Sequence, residues 1–360
     1  MPAHLFIAAT AHGYGHVAQV GAVVHGLRRR DPALRITLAA TVDPRFVRAR
    51  MPPGVEVLPL AMDVALPMDG PLKARWDEGL EIYTAFDAEH ERHLAAQRAL
   101  LADLRPDLVL ADIPWLPLSA ARALGIPAVG LCSLNWLDIL AESPVGTRLP
   151  PALAGHLRDA YAGAELFLRP APTMPMTWLP TGRDIGPIAR VRPRDPAALR
   201  RHFSVEAGTR LVLMQFGGAG SLHPPADMPL PPKTRLLTPV PAIAAERSDA
   251  LLIDAEAVTD VLASCDAVIT KPGYGTFAEA ACHGTPVLSV PRGDWPEEPH
   301  LDAWLAQRVP FRSLSLADFA AGCLAEPLAD LLGAGPAEPV PATGIRETVE
   351  LLAPWLPIAR

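Results

Sequence analysis

Cysteine is scarce in this chain of 360 residues. The four cysteines, Cys132, Cys265, Cys282 and Cys323, stand far apart, and no CxxC pair occurs. Zinc ribbons and disulfide frameworks depend on closely and regularly spaced cysteines, so neither is expected here. Free thiols fit a reducing compartment, and we therefore expect the protein to be cytoplasmic.

Long apolar runs and excess positive charge are also missing. No apolar run approaches the roughly 18 residues of a membrane span, and the start MPAHLFIAAT lacks the basic region of a signal peptide. A net charge of −7 argues against a nucleic-acid partner. Only the run Arg28–Arg30 and nearby arginines leave room for weak peripheral contact with a membrane. The same run at the end of a helix would simply complement the helix dipole.

Short apolar runs alternate with amphipathic segments in the first half of the chain. The runs without helical spacing are HLFIAAT (4–10), RITLAAT (35–41), VEVLPL (55–60), DLVLADI (107–113) and PAVGLCS (127–133). They predict buried parallel strands. After the first run, Val17, Val20 and Val24 recur at helical spacing, and residues 85–104 predict one long helix. This alternation predicts an α/β protein with helices on both faces of a parallel sheet.

A proline-rich stretch, residues 170–196, interrupts the alternation, and we interpret it as the passage between two domains. The second series of strand-like runs is RLVLMQF (210–216), TRLLTPV (234–240), DALLID (249–254), DAVIT (266–270) and PVLSVP (286–291). Two Rossmann-like domains, residues 1–188 and 189–340, are predicted to face each other across a cleft. A C-terminal helix in 341–360 is expected to return to the first domain. Ligands should bind at the carboxyl ends of the strands.

The loop HGYGH, residues 12–16, follows the first predicted strand. His12 and His16 could form a metal pair, but the glycines between them favour a loop, and the pair would need a helix to share a face. The letters GYGHVA also fit a dinucleotide fingerprint, yet the second predicted strand ends in Thr41 without the required acidic residue. Both alternatives are disfavoured and stay open.

The interpretation that we favour makes His16 a general base at the start of a helix. Asp112 ends a predicted strand at the same edge of the sheet, where it could orient the imidazole and stabilise its charged form. The alternative for Asp112 is a cap for the following helix. We expect His16 to lie within hydrogen-bond reach of Asp112, and His12, the alternative base, to lie farther away.

The strongest local signal is the segment DAVITKPGYGTFAEAACHG, residues 266–284. A strand leads into a glycine-rich loop and a helix that we expect to begin at Thr276. Exposed amides at Gly273, Tyr274 and Gly275 suit a diphosphate, and Lys271 adds a cation.

Glu279 has two interpretations. Three residues after Thr276, its carboxylate could complete a capping box by bonding back to the start of the helix. Alternatively, it could face the cleft and accept hydrogen bonds from the two hydroxyls of a ribose.

The motifs AHGYGH, TKPGYGTFAEAA and PEEPHLDAWL occur in this order. They resemble motifs of GT-B-fold glycosyltransferases, above all the N-terminal glycosyltransferase-like domain of L-arabinokinases and, more distantly, the N-acetylglucosaminyltransferase that completes lipid II. The resemblance covers most of residues 4–306. No sugar-kinase domain follows, so a stand-alone version is expected. His16 and Asp112 match positions that act together in such transferases.

The resemblance implies transfer of a sugar from a nucleoside-diphosphate sugar, expected to be a UDP-sugar, to the hydroxyl of an unknown acceptor. The reaction is expected to be inverting, without metal or cofactor. The implied donor-binding residues are Gly217, Gly218, Lys271, Gly273, Tyr274, Gly275, Thr276, Glu279, Glu297, Glu298 and His300. A non-catalytic nucleotide-sugar-binding module and a nucleotide-sugar 2-epimerase on the same fold remain alternatives. The segment LHPPADMPLPPK, residues 222–233, should form no helix.

Overall fold

A computed structural model describes residues 2–217 and 222–357. The strands of the first half are β1 (His4–Ala9), β2 (Arg35–Ala39), β3 (Glu56–Leu58), β4 (Met68–Asp69), β5 (Lys73–Ala74), β6 (Leu108–Asp112), β7 (Ala128–Leu131), β8 (Leu166–Pro170) and β9 (Gly182–Ile185). Seven of them form a parallel sheet in the order β3-β2-β1-β6-β7-β8-β9, while β4 and β5 pair antiparallel. Every residue of β1 is buried, as expected of a strand covered on both faces.

The helices around this sheet alternate with its strands. They are α1 (Tyr14–Arg30), α2 (Pro44–Arg50), α3 (Trp76–Ala88), α4 (His90–Leu104), α5 (Leu116–Ala123), α6 (Trp136–Glu142) and α7 (Pro151–Ala162). Arg28–Arg30 form the last turn of α1, where they complement the helix dipole. Arg28 also donates to two backbone carbonyls and Arg30 to a third.

The second half repeats this architecture. Its strands are β10 (Arg210–Met214), β11 (Thr234–Thr238), β12 (Ala250–Leu252), β13 (Ala267–Thr270), β14 (Val287–Ser289) and β15 (Phe311–Ser313), in the parallel order β12-β11-β10-β13-β14-β15. Its helices are α8 (Pro196–His202), α9 (Pro241–Glu246), α10 (Val258–Ser264), α11 (Tyr274–His283), α12 (Glu298–Ala306), α13 (Leu316–Ala320), α14 (Ala325–Ala334) and α15 (Gly344–Leu352). Residues 222–233 contain no helix, as predicted.

Two sequence-based predictions of elements were wrong. The predicted helix over 85–104 is two helices. The amide of Glu89 donates a hydrogen bond to the carbonyl of Phe86, three residues back, and a new helix, α4, begins at His90. The proline-rich passage is shorter than predicted, because residues 182–185 form β9 at the edge of the first sheet.

Both sheets reverse their strand order at a pair of adjacent strands. In the first sheet β2 and β6 lie on opposite sides of β1, and in the second β11 and β13 lie on opposite sides of β10. Crevices that bind ligands form beyond the carboxyl ends of strands at such switch points. The segments that follow β1, β6, β10 and β13 are therefore where a site is expected.

The C-terminal helix packs on the first half of the chain. Ile345 and Val349 of α15 contact α1 beside Gly26, where a Cβ atom would collide with both side chains. Leu352 and Leu356 are buried in the core next to β1. The domain limits at 188 and 340 stay a prediction. Within residues 2–217 and 222–357, no helix has the length and apolar character needed to cross a membrane.

Candidate active site

The loop after β1 ends in a helix that carries His16 in its first turn. Gly13 precedes α1 with a φ of 102°, a backbone conformation that favours glycine. Asp112 is the last residue of β6 and pairs in register with Ala9 of β1. The Nδ1 atom of His16 lies 2.8 Å from Oδ1 of Asp112, so the predicted contact is present. His12, in contrast, precedes the helix, so the two histidines share no helical face.

Asp112 controls the protonation of His16. Burial would lower the pKa of His16, but the attraction of Asp112 and the hydrogen bond to it, together with the attraction of Glu297 and Asp63, outweigh burial, and the pKa is raised. With Nδ1 engaged by Asp112, Nε2 is the nitrogen left to accept a proton. The Cys132 thiol lies 3.8 Å from the same Nδ1, and burial raises its pKa well above the usual value.

His12 has a different environment from His16. Its ring meets the edge of Trp136, with centroids 5.3 Å apart, and stacks on Trp295. Burial is the main cause that lowers the pKa of His12 to about 3, and the cations Lys271 and Arg292 act in the same direction. His12 is therefore a neutral imidazole in an aromatic setting.

Asp63 accepts hydrogen bonds from the start of the loop that carries His12, which we call the histidine loop, and the sequence analysis did not predict this role. Its carboxylate accepts hydrogen bonds from Thr10 Oγ1 at 2.5 Å, from the Ala11 amide at 3.1 Å and from Trp136 Nε1 at 3.1 Å. Burial raises the pKa of Asp63 to about 6 in spite of these donors. The one feature of the sequence that could have indicated Asp63 is that it is the single carboxylate within the apolar run LPLAMDVAL.

The segment 292–298 of the second half reaches into the first half. Trp295 is 4% exposed, stacks on Trp76 at 5.6 Å and belongs to the core beneath the first sheet. Trp76 Nε1 donates to Asp294 at 2.8 Å. Glu297 accepts a hydrogen bond from Ser133 Oγ at 2.7 Å and another from Trp295 Nε1 at 3.3 Å.

Glu298 holds its own loop. Arg292 donates to it from the guanidinium and from the backbone amide, each at 2.9 Å, and the Gly293 amide adds a bond at 3.3 Å. Of the residues implied as sugar ligands, Glu297 and Glu298 thus already have protein partners. His300 lies partly exposed in the first turn of α12.

Lys271 lies between two glycine loops. A Cβ atom on Gly217 would come within 3.7 Å of its side chain, and one on Gly273 within 3.8 Å of its Nζ. Burial lowers the pKa of Lys271 to about 7, and the neighbouring Arg292 acts in the same direction. An anion bound here would favour the charged lysine. Gly218 lies outside the described residues.

The helix that was predicted to begin at Thr276 begins at Tyr274, within the segment KPGYGT, so that prediction was wrong. Gly273 occupies the N-cap position without a side-chain cap, which leaves the first-turn amides, including those of Gly275 and Thr276, directed out of the helix start. Thr276 Oγ1 accepts a hydrogen bond from Gln215 Nε2 at 2.7 Å, and Gln215 Oε1 accepts one from the Gly217 amide. Gln215, missed by sequence analysis, thereby joins the two loops.

The side chain of Tyr274 turns away from this loop. Its hydroxyl accepts a hydrogen bond from the Ile188 amide at 2.8 Å, in the segment that connects the two sheets. Only the backbone amide of Tyr274 therefore remains for the predicted diphosphate contact.

Glu279 does not cap its helix, so the capping-box alternative is wrong. Its carboxylate accepts from Thr259 Oγ1 at 3.1 and 3.2 Å and lies 3.9 Å from Nε of Arg190. Burial raises the pKa of Glu279 to about 7, against the opposing effect of Arg190. The side chain is 18% exposed, so part of it remains accessible.

Comparison with known proteins gives two curated relatives, while no family model matches the chain. L-arabinokinase of Arabidopsis thaliana is 24% identical over 297 residues, which cover 81% of this chain and 28% of that protein. An uncharacterized glycosyltransferase of Methanopyrus kandleri is 30% identical over 228 residues, which cover 58% of this chain and 62% of that protein. The chain thus spans less than two thirds of the length of either relative. Both similarities agree with the resemblance that the motifs carry.

Solved structures of glycosyltransferases match nearly the whole chain. The glycotransferase of kitacinnamycin does so with a TM-score of 0.64 at 19% identity, covering 99% of this chain and 100% of that one. A UDP-glucosyltransferase from Polygonum tinctorium capable of glucosylating indoxyl has a TM-score of 0.63 at 17% identity, covering 99% and 94%. The predicted architecture of two Rossmann-like halves is confirmed, and the chain has the GT-B glycosyltransferase fold.

Proposed function

We propose that this protein is an inverting, metal-independent glycosyltransferase that moves a sugar from a nucleoside-diphosphate sugar to an acceptor hydroxyl. The observation that carries the proposal is the position of the His16–Asp112 pair. The pair lies where β1 and β6 end, at the switch point of the first sheet. Lys271 and the two glycine loops beside it follow β10 and β13, the switch-point strands of the second sheet. The charges of Lys271 and Arg292 lower the pKa of His12, which supports the proposal that the two groups belong to one site.

The acceptor would be activated by His16. The acceptor oxygen attacks the anomeric carbon of the donor sugar while Nε2 of His16 takes the hydroxyl proton. Asp112 stabilises the resulting imidazolium through Nδ1, as the aspartate does in catalytic triads. The bond from the anomeric carbon to the diphosphate oxygen breaks, and the diphosphate leaves with the electron pair. One displacement of this kind inverts the configuration.

The leaving diphosphate would be stabilised by this chain's own groups. First-turn amides of α11 and the positive end of its dipole are suited to an anion. Lys271 supplies cationic charge beside the glycine loops once an anion is bound, and Arg292, which pairs with Glu298, adds to the positive charge near Lys271. These groups can neutralise the leaving group without a metal ion, and Glu279 would accept the ribose hydroxyls.

The test is a panel of nucleotide sugars, with UDP-sugars first, incubated with the wild type and with His16→Ala, with and without candidate acceptors. Acceptor-dependent release of nucleoside diphosphate by the wild type, lost in the variant while nucleotide binding persists, supports the proposal. Binding without release would indicate a non-catalytic module. A changed sugar configuration without acceptor would indicate an epimerase. No binding of any nucleotide by the wild type would contradict the donor site.

A further inference from the structure

Three helices of the first half meet at two histidines and one aspartate. Asp87 lies near the end of α3, His90 begins α4 and His156 lies in α7. Nδ1 of His156 lies 2.8 Å from Oδ1 of Asp87, and Nδ1 of His90 lies 3.6 Å from the same oxygen. One ligand atom from each residue lies within 4.8 Å of the others.

A hydrogen bond accounts for only one of these two contacts. The 2.8 Å separation from His156 is a normal hydrogen-bond length, whereas the 3.6 Å separation from His90 is too long for a good one. Two ring nitrogens thus converge on one carboxylate oxygen. A cation between them would be bound by all three atoms.

The spacing suits a small divalent ion. A tetrahedral zinc ion with bonds of about 2.0–2.1 Å holds its ligand atoms about 3.3 Å apart. The separations of 2.8 and 3.6 Å fall on either side of this value. The imidazole rings lie face to face, with centroids 3.7 Å apart and 16° between their planes, so one ring must rotate out of this stack before both can coordinate one ion.

The site is partly open to solvent. Asp87 is 9% and His90 13% exposed, whereas His156 is 38% exposed, which leaves a solvent side for a water ligand.

We propose that Asp87, His90 and His156 bind one divalent transition-metal ion, with zinc the best match, at a site separate from the sugar-transfer cleft. Asp87 and Trp76, which contacts the cleft, lie near opposite ends of α3, about 16 Å apart along the helix. The metal would fasten the α3–α4 corner to α7, so its role is structural. Two imidazoles and one carboxylate with an open position suit zinc better than calcium or magnesium.

Calorimetric titration of the tag-free, chelator-treated protein with zinc chloride tests the site. The wild type is expected to bind one equivalent, and His90→Ala and His156→Ala should each weaken that binding at least tenfold. His202→Ala is the matched control, because His202 is exposed at the end of α8. His16→Ala is the second control, because His16, Asp112 and Cys132 could also hold an ion. Both controls should bind zinc as the wild type does.

Two further measurements guard against a variant that simply fails to fold. Bound zinc should raise the Tm of the wild type but not that of Asp87→Asn, whose far-ultraviolet circular dichroism should match the wild type. Cobalt bound in place of zinc should give the intense visible bands of a tetrahedral ion. The proposal is overturned if the wild type shows no saturable binding, or if binding disappears in His16→Ala and persists in His156→Ala.

Discussion

The indole of Trp295 lies nearly parallel to the imidazole of His12, with ring centroids 5.5 Å apart and 8° between the planes. Trp295 comes from the second half of the chain and His12 from the first. The loop that would meet the donor sugar therefore contacts the loop that carries the proposed base. The contact therefore joins the two halves of the chain beside the proposed site.

Replacing Trp295 by alanine should reduce the free energy of unfolding by about 3–5 kcal/mol, because a buried aromatic side chain is removed and a cavity remains. Urea denaturation measures the change. Trp304→Ala is the control. Trp304 lies on α12, is only partly buried, and has the guanidinium of Arg308 over its ring. If the free energy of unfolding falls equally in the two variants, the side chain of Trp295 is not buried between the two halves in solution.

The pH profile should reveal the influence of Asp112 on His16. A general base must be neutral, so turnover should fall as the pH drops through the raised pKa of His16. Asp112→Asn removes the attraction while burial remains, so the acid limb of kcat/KM should move to lower pH. The maximal rate should fall by about 10²–10⁴-fold.

Nucleotide affinity should be nearly unchanged in Asp112→Asn, because the proposed mechanism has the pair act on the acceptor and not on the nucleotide. Isothermal titration with the nucleoside diphosphate checks this point. An acid limb that stays in place while the rate falls would indicate that another group, not His16, sets the profile.

Most of the parallel strands are predicted, because buried parallel strands are continuous apolar runs. The interior strand β8 and the edge strands β9 and β15 were not predicted. In β9, Gly182–Ile185, Arg183 and Asp184 are exposed and only Ile185 is buried. The start of α11 was misplaced because Thr276 has the chemistry of an N-cap, whereas the position is taken by Gly273, which offers no side chain to a pattern search.

In the candidate site, the contact between His16 and Asp112 was predicted, because β1 and β6 place both residues at the same edge of one sheet. Asp63 and Ser133 were missed because their partners come from distant segments. Ser133 meets Glu297 only when the two halves pack together, and no local spacing in either segment indicates this contact.

Asp63→Asn should destabilise the histidine loop. All three partners of Asp63 are donors, and an amide offers one acceptor oxygen while it turns an NH2 group towards a donor. The expected loss is about 1–3 kcal/mol in the free energy of unfolding, the cost of leaving a buried polar group unsatisfied. Asp254→Asn, at an exposed loop position, is the control for thermal and urea unfolding. Stability equal to that of the wild type would show that a neutral Asp63 already serves the loop.

Glu279 should make nucleotide affinity depend on pH. Its pKa is about 7 in the folded protein, so the carboxylate is ionised above that pH and protonated below it. If it accepts the ribose hydroxyls, the contribution of Glu279 to nucleoside-diphosphate affinity should weaken as the pH falls from 8 to 6, whereas protonation of Lys271, whose pKa is also about 7, acts in the opposite direction. Protonation of Glu279 replaces charge-assisted hydrogen bonds with neutral ones.

Glu279→Gln should lower that affinity by about 1–2 kcal/mol, roughly tenfold, at pH 8 and should remove the part of the pH dependence that Glu279 causes. Glu246→Gln, exposed at the end of α9 in the same half, is the matched control and should behave as the wild type does. Isothermal titration at both pH values measures each variant. The phosphate contacts titrate in all three proteins, so the difference between Glu279→Gln and Glu246→Gln isolates the carboxylate. If the two variants bind equally well at pH 8, Glu279 serves only to hold Thr259 and Arg190, and the ribose must be bound elsewhere.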